Sequence, residues 1–330
     1  MPVPSVLTDR LRLPVIASPM FIISNPELVI AQCKAGVVGS FPALNARPAE
    51  ALDGWLTRIR EELAAHDAAH PDRPSAPFAV NQIVHRSNDR LEHDLEVCVR
   101  HRVPIVITSL GARTDVYEAV HSYGGIVLHD VISDTFARKA IDKGADGLIA
   151  VAAGAGGHAG TLSPMALIQE IRRWWTGPLI LSGAIATGRA VLAAQAMGAD
   201  LAYIGSAFIA TQEANAPPDY KAMIVDSGAE DIVYTNCFTG VHGNYLKPSI
   251  IRAGLDPATL ETSDPTKMDF SKAKAWKEIW GAGQGIGAVT AVRPAAAVVE
   301  QLRREYDDAL DELAGIREAR RQHRTENADV

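Results

Sequence analysis

One histidine stands alone among small residues in "VAAGAGGHAG", residues 151–160, directly after the apolar run "ADGLIAVA". Glycine removes side-chain bulk, so this loop can lie against a large planar group, with His158 as the ionisable side chain beside it. An imidazole titrates near neutral pH and can take or give a proton during catalysis. A structural hydrogen bond to a neighbouring loop is the alternative role, but the position at a strand end among glycines favours catalysis.

Two further loops have the composition of a phosphate site. "SGAIATG" supplies Ser182, Gly183 and Ala184, and "IGSAFIAT" supplies Gly205 and Ser206. Small residues let backbone N–H groups approach a phosphate, and a helix N-terminus adds partial positive charge. Either loop alone is equally well explained as a tight turn, but the two together predict a phosphate-binding site.

Several polar residues follow or interrupt other apolar runs. Asn81 lies in "FAVNQI", where burial is costly without a partner, so a ligand and a neighbouring strand are equally good candidates for that partner. His129 ends the fifth run and could face the same site, and the adjacent Asp130 could act as an acid or pair with Arg113. His242, in "TGVHGN", could approach from above. Neither the histidine spacing nor the carboxylates resemble a metal site, so no metal is expected.

The elements that must position these residues are eight short apolar runs, which alternate with helix-type segments over the first two thirds of the chain. Each run is nearly continuous, which is typical of parallel strands buried on both faces. A helix follows each of the first seven runs, so the pattern predicts an α/β fold, a (β/α)8 TIM barrel. An open doubly wound sheet has the same count, but phosphate loops after the seventh and eighth strands favour the barrel. The runs are 13–20, 37–43, 78–83, 104–110, 125–131, 145–152, 178–185 and 199–210.

A dinucleotide-binding fold is the other interpretation of the glycines. Residues 154–159 match G-x-G-x-x-A weakly, but the acidic residue expected about 20 positions later is missing. A second near-match, 283–288, does not follow a strand. The barrel explains Gly156 and Gly157 better, as backbone that lies flat against a planar ring.

The composition of the sequence changes after residue 212: Pro, Asp and Thr become frequent, and the hydrophobic periodicity is poor. We therefore predict a small, partly helical lid or substrate domain over 213–280. It is inserted into a barrel made of 1–212 and 281–330, which ends in a charged helix at about 293–323.

Composition limits the class of protein. The 330 residues carry a net charge of −7 without a basic stripe, which argues against a nucleic-acid partner. The three cysteines are far apart, so neither a disulfide framework nor a zinc site is expected. The sequence shows neither a signal peptide nor an apolar run of membrane-spanning length. We expect a soluble cytoplasmic protein with no membrane partner, either as a monomer or as a homodimer.

Three segments of the chain resemble those of a known family. "AGAGGHAG", "LSGAIATGRAVLAAQAMGADLAYIGSAFIAT" and "GAGQGIGAV" are similar to segments of the nitronate monooxygenases, also called 2-nitropropane dioxygenases. The resemblance covers roughly residues 13–212 and 280–290, and implies a TIM barrel that binds FMN non-covalently. It implies that His158 is catalytic, as a base toward neutral nitroalkanes. The FMN-binding residues it implies are Ser18, Met20, Asn81, Gly157, Ser182, Gly183, Ala184, Gly205 and Ser206.

The resemblance leaves the reaction open. It implies either oxidation of alkyl nitronates with O₂, or NAD(P)H-dependent reduction of quinones or enoyl thioesters on the same scaffold. A barrel without flavin, in which "GAGGHAG" is only a turn, is the third hypothesis. Two departures weigh against an anionic nitronate: Asp130 stands where several relatives have lysine, and "ASPMFIIS" replaces a glycine-glycine-methionine. Phe238 and Tyr245 could shape a pocket for a larger apolar substrate. Further candidate substrate contacts are Phe21, His129 and His242.

Overall fold

The computed structural model of the chain describes residues 3–263 and 278–326. Eight parallel strands form one sheet in the order β1-β9-β8-β6-β5-β4-β3-β2. The first and last strands of that order meet through a parallel bridge between Ile16 and Val38, which closes the sheet. This confirms the predicted TIM barrel. The barrel strands are β1 Val15–Ala17, β2 Gly39–Pro42, β3 Phe78–Ile83, β4 Ile105–Ser109, β5 Ile126–Val131, β6 Gly147–Val151, β8 Leu179–Ser182 and β9 Leu201–Ile204.

The side chains of each barrel strand alternate between two hydrophobic layers. Ile107 and Leu128 belong to a cluster inside the barrel, whereas Val106 and Val127 pack in the layer between strands and helices. Successive residues of a strand point to opposite faces, so Asp130 shares the inward face of Leu128. This alternation decides which polar residues can reach the barrel mouth.

Helices cover the outside of the barrel, and the first of them has a capping residue at each end. Asn25 caps the first helix by accepting a 2.9 Å hydrogen bond from the Leu28 N–H, and Gly36 ends it with φ +98°. The covering helices are α1 Pro26–Ala35, α2 Ala51–Ala69, α3 Leu91–Arg100, α4 Thr114–His121, α5 Asp134–Asp142, α6 Pro164–Arg172 and α7 Gly188–Met197, with the short α8 Ser206–Ile209 after the last strand.

A long C-terminal helix, α11 Ala295–Glu326, agrees with the prediction of a helix at about 293–323. Its first half packs on α7, where the Gly188 N–H donates a 2.8 Å hydrogen bond to Glu305. A Cβ on Gly188 would lie 1.9 Å from the Leu302 carbonyl oxygen. Only glycine therefore permits this close packing of the two helices.

The segment 213–280 contributes α9 Pro218–Asp226, β10 Ile232–Thr235, β11 Gly243–Leu246 and α10 Lys247–Arg252; its residues 264–277 lie outside the described residues. The hairpin β10–β11 is extended by β7 Gly157–His158, so the glycine-histidine loop is the third strand of a small antiparallel sheet. Tyr220 stacks on Trp280 with 4.6 Å between ring centroids, and both share a hydrophobic cluster with β1 and β9. The segment is thus packed directly onto the barrel.

Candidate active site

A cavity of about 1120 Å³ opens at the carboxyl ends of the barrel strands. It is the end of a TIM barrel at which enzymes place their active sites. The fold brings together His158 and every residue that we expect to bind FMN. The cavity is lined, among others, by Ser18, Met20, Asn81, Gly157, Ser182, Gly183, Ala184, Gly205 and Ser206.

His158 enters the cavity from β7, where it pairs with Gly243 of β11. Its Nε2 lies 3.4 Å from the Thr239 hydroxyl oxygen. Burial lowers the pKa of His158 to about 4, because the charged imidazolium is poorly solvated there. The imidazole is therefore neutral at neutral pH and can accept a proton.

The glycine-rich backbone leaves space for a ligand beside this histidine. Gly157 has φ +66°, and a Cβ built on it meets no atom within 4 Å. Gly183 has φ +143°, and a Cβ there would lie 2.8 Å from the Ala153 carbonyl oxygen. The next residue, Ala184, also has a positive φ of 53°. Gly205 caps α8, and the first N–H groups of a helix have no acceptor within it. Open backbone at Gly157 and amides at the two loops fit a flat ring with a phosphate tail.

Three polar side chains on neighbouring strands form a directed chain of hydrogen bonds. The Asn81 amide nitrogen donates to the Ile107 carbonyl oxygen at 3.2 Å and to the Ser109 hydroxyl oxygen at 2.8 Å. Both amide hydrogens of Asn81 are thereby used, so what this side chain can offer a ligand is an oxygen acceptor. Ser109 in turn donates a 2.6 Å hydrogen bond to Oδ2 of Asp130.

Asp130 is held inside the cavity by this chain. Its Oδ1 is buried and has no hydrogen-bond partner. Burial raises the pKa of Asp130 to about 7, and the hydrogen bond from Ser109 opposes the shift. The neutral carboxyl and the carboxylate are therefore both populated near neutral pH.

Tyr203 is a site residue that the sequence analysis missed. It lies on β9, inside the barrel, and lines the same cavity as Asp130. Its hydroxyl is buried without a hydrogen-bond partner, and burial together with the charge of Asp130 raises its pKa. A phenol inside the apolar run "ADLAYIGSAFIA", two residues before Gly205, was the available signal.

The role of His129 as a substrate contact stays a prediction, and the alternation of β5 decides where its imidazole lies. Although His129 contributes to the cavity wall, its Nδ1 lies 2.6 Å from the Thr108 hydroxyl oxygen and 3.1 Å from the Tyr117 hydroxyl oxygen. Tyr117 belongs to α4, so the imidazole is directed into the layer between strands and helices. Burial lowers its pKa to about 4. Asp130, the next residue, takes the inward position.

The structure contradicts the prediction that Phe238 and Tyr245 shape a substrate pocket. The two rings meet edge to face at 4.9 Å and pack with Ile250 and Ile279 in a small core of the insertion. Neither belongs to the cavity lining, because each is used to hold the insertion together.

The remaining candidates, Phe21 and His242, do line the cavity. The His242 ring stacks on Tyr234 with 5.1 Å between centroids. The Arg47 guanidinium lies 5.4 Å from the centre of the Phe21 ring. Both aromatic groups are therefore supported by a second side chain that also lines the cavity.

Across 3–263 and 278–326, no three His, Cys, Asp or Glu side chains are grouped so that they could hold a metal ion. In the same part of the chain, no helix combines the length and apolar character needed to cross a bilayer.

Comparison with known proteins identifies the family. Residues 61–305 match the family model described as nitronate monooxygenase. A nitronate monooxygenase of Paraburkholderia phytofirmans is 27% identical, with 91% of this chain and 94% of that protein covered. A Mycobacterium tuberculosis protein named as a monooxygenase is also 27% identical, and the match spans 67% of this chain and 64% of that protein's length.

A solved structure supports the same conclusion. The nitroalkane oxidase of Streptomyces ansochromogenes superposes with a TM-score of 0.78 at 25% identity, covering 94% of this chain and all of that one. These matches confirm the resemblance found in the glycine-histidine and phosphate loops. The chain belongs to the nitronate monooxygenase family of flavin-dependent oxidoreductases.

Proposed function

We propose that the chain binds FMN in the cavity and oxidises alkyl nitronates with O₂, with His158 as the proton-transferring residue. One observation carries this proposal. Residues from separate stretches of the chain, expected from the sequence to hold FMN, line a single cavity at the catalytic end of the barrel together with His158. FMN supplies the electron transfer that the protein's own side chains cannot perform.

Different residues of the cavity suit the phosphate and the ring of FMN. The small residues Gly183 and Ala184 leave room for the phosphate, and Gly205 and Ser206 place the start of α8 beside it. Asn81 has committed both amide hydrogens, so its oxygen suits an N–H donor of the flavin ring. Gly157 leaves open space where a planar ring would lie.

His158 determines what the chain does to the substrate's proton. A neutral imidazole can accept a proton from the carbon next to a nitro group. A nitronate already lacks that proton, so His158 matters most for neutral nitroalkanes. We also propose that residues 213–280 act as a lid or substrate domain over the barrel, 1–212 and 281–330, since β11 pairs with the strand that carries His158.

A second candidate is NAD(P)H-dependent reduction of a neutral acceptor, a quinone or an enoyl thioester. Asp130 favours it, because a carboxylate inside the cavity repels an anionic nitronate. Drug-sized ligands occupy pockets of about 300–1,000 Å³, and the cavity of about 1120 Å³ leaves room for a cofactor and a second molecule.

The experiment that separates these reactions begins with the visible spectrum of the purified protein. Anaerobic stopped-flow mixing with NADH and with NADPH tests the reductase, which requires rapid loss of the flavin absorbance. Turnover of propionate-3-nitronate with O₂ tests the monooxygenase. A protein that stays colourless after refolding with FMN would contradict both.

A further inference from the structure

We propose that Asp130 sets the substrate's charge: its carboxyl contacts the substrate and favours a neutral carbonyl or nitro compound over an anionic nitronate. This inference rests on the proposed function, because it takes the cavity to be the place where the substrate reacts. Among the substrates proposed there, it favours neutral nitroalkanes and neutral acceptors over free nitronates. The argument starts from the direction of the hydrogen bonds that hold the carboxyl.

The chain from Asn81 through Ser109 leaves one oxygen of Asp130 for a ligand. Ser109 accepts from Asn81 and donates its hydroxyl hydrogen to Oδ2 of Asp130. A proton on Asp130 is therefore carried by Oδ1, the oxygen without a partner. Fixed in this way, Oδ1 either donates that proton to an acceptor on the ligand or presents a negative charge.

Tyr203 provides a second polar atom in the same cavity. Its hydroxyl is buried and has no partner in the structure, and its side chain comes from β9, which is separated from β5 by two strands of the sheet. Buried polar groups are normally hydrogen-bonded. An uncharged substrate with acceptor oxygens can accept a hydrogen bond from the phenol and another from the neutral carboxyl. An anionic substrate is repelled by the charged form of Asp130.

The surrounding charges do not neutralise Asp130. Arg47 and Lys139 also line the cavity, but both side chains are exposed, and neither contributes to the pKa of Asp130, which burial raises to about 7. His158, whose pKa is about 4, is neutral at the same pH. Within residues 3–263 and 278–326, the carboxylate thus faces the cavity without a cationic side chain paired to it.

The test compares the binding of two unreactive ligands of nearly the same shape, isobutyrate and isobutyramide, by calorimetry at pH 8. Asp130→Asn removes the charge and keeps the volume. Asp89→Asn is the matched control, because Asp89 lines the same cavity but is exposed to solvent. We expect Asp130→Asn to raise the affinity for isobutyrate relative to isobutyramide by about tenfold. Asp89→Asn should raise the same relative affinity by less than about threefold, because solvent screens exposed charges.

Ser109→Ala is the second variant. Loss of the hydrogen bond that favours the charged form raises the pKa of Asp130 further, so fewer molecules carry the charge at pH 8. The ratio of the affinity for isobutyrate to that for isobutyramide should then rise, as in Asp130→Asn, but by about threefold. If Asp130→Asn does not fold, Ser109→Ala alone tests the proposal. Circular dichroism checks the fold of each protein.

An unchanged ratio in the folded variants would overturn the proposal, and so would an effect of equal size in Asp89→Asn. A loss of FMN affinity with no change in the ratio would also overturn it, because Asp130 would then contact only the cofactor. The flavin content of the wild-type protein is measured on the same samples. Absence of flavin contradicts the proposed function, whereas an unchanged ratio in flavin-containing protein contradicts the role of Asp130 alone.

Discussion

The Ser109 hydroxyl donates a 2.6 Å hydrogen bond to Oδ2 of Asp130 and thereby joins the ends of two neighbouring barrel strands at the cavity. The bond orients the carboxyl while leaving its other oxygen unsatisfied. A buried carboxyl in this state makes both the stability of the protein and its choice of ligand sensitive to protonation.

The first prediction concerns stability against pH. The pKa of Asp130 is about 7 in the folded protein, and that of an unfolded aspartate is about 3.9. Between these values the folded state holds more protons, so the free energy of unfolding falls as pH rises, by up to about 1.4 kcal/mol per pH unit from this group. His129 and His158, whose pKa values are lowered to about 4, contribute slopes of the opposite sign over part of this range. In urea unfolding at pH 5, 6 and 7, the slope of Asp130→Asn should therefore be more positive than that of wild type by up to about 1.4 kcal/mol per pH unit, whereas the slope of Asp89→Asn should match wild type. Parallel slopes in all three proteins would rule it out.

The second prediction concerns His158. Replacement by Ala or Asn should leave FMN bound, because the phosphate loops are untouched, but should slow turnover of neutral nitroalkanes by about 10²- to 10⁴-fold, the usual contribution of a general base. Steady-state kinetics and flavin content measure the two effects separately. The control is His242→Asn, a histidine of the same cavity, which should lose far less. Full activity in His158→Ala on every substrate tested would refute the role.

The third prediction concerns the open backbone at Gly157. Gly157→Ala should weaken FMN binding by at least about tenfold, because the new methyl group enters the space of the ring. Its φ of +66° adds strain of about 1–2 kcal/mol. Gly124→Ala is the control, since Gly124 also has a positive φ of 84° and open space around it but does not line the cavity. Fluorescence titration with FMN and thermal unfolding measure both properties. Equal FMN affinity in the two variants would argue against a flavin at Gly157.

The fourth prediction separates packing from substrate contact in the insertion. Tyr245 is 1% exposed, so Tyr245→Ala should lower the free energy of unfolding by about 3–5 kcal/mol. Because neither Tyr245 nor Phe238 lines the cavity, the KM of the remaining folded enzyme should stay close to that of wild type. Chemical unfolding and kinetics test the two statements. A large rise in KM without lost stability would restore the original hypothesis of a substrate pocket.

The sequence by itself determined the architecture and the location of the loops. Continuous apolar runs separated by capped helices are sufficient to indicate parallel strands, and loops after the last two strands predicted a phosphate site. The residue types at the ends of the first helix, Asn25 and Gly36, are those that favour helix starts and stops, and the helix begins and ends there in the structure. These features are local, so a single sequence displays them.

The tertiary structure decided which side chains face the cavity. A strand that is apolar along its whole length has no polar alternation to mark its inner face, and a shift of one residue exchanges the two faces. For this reason the sequence could not tell that Asp130 points inward and His129 outward, or that Tyr203 joins the site. Likewise, the sequence could not tell that Phe238 and Tyr245 pack against each other in a small core with Ile250 and Ile279, because this packing depends on how the segment folds.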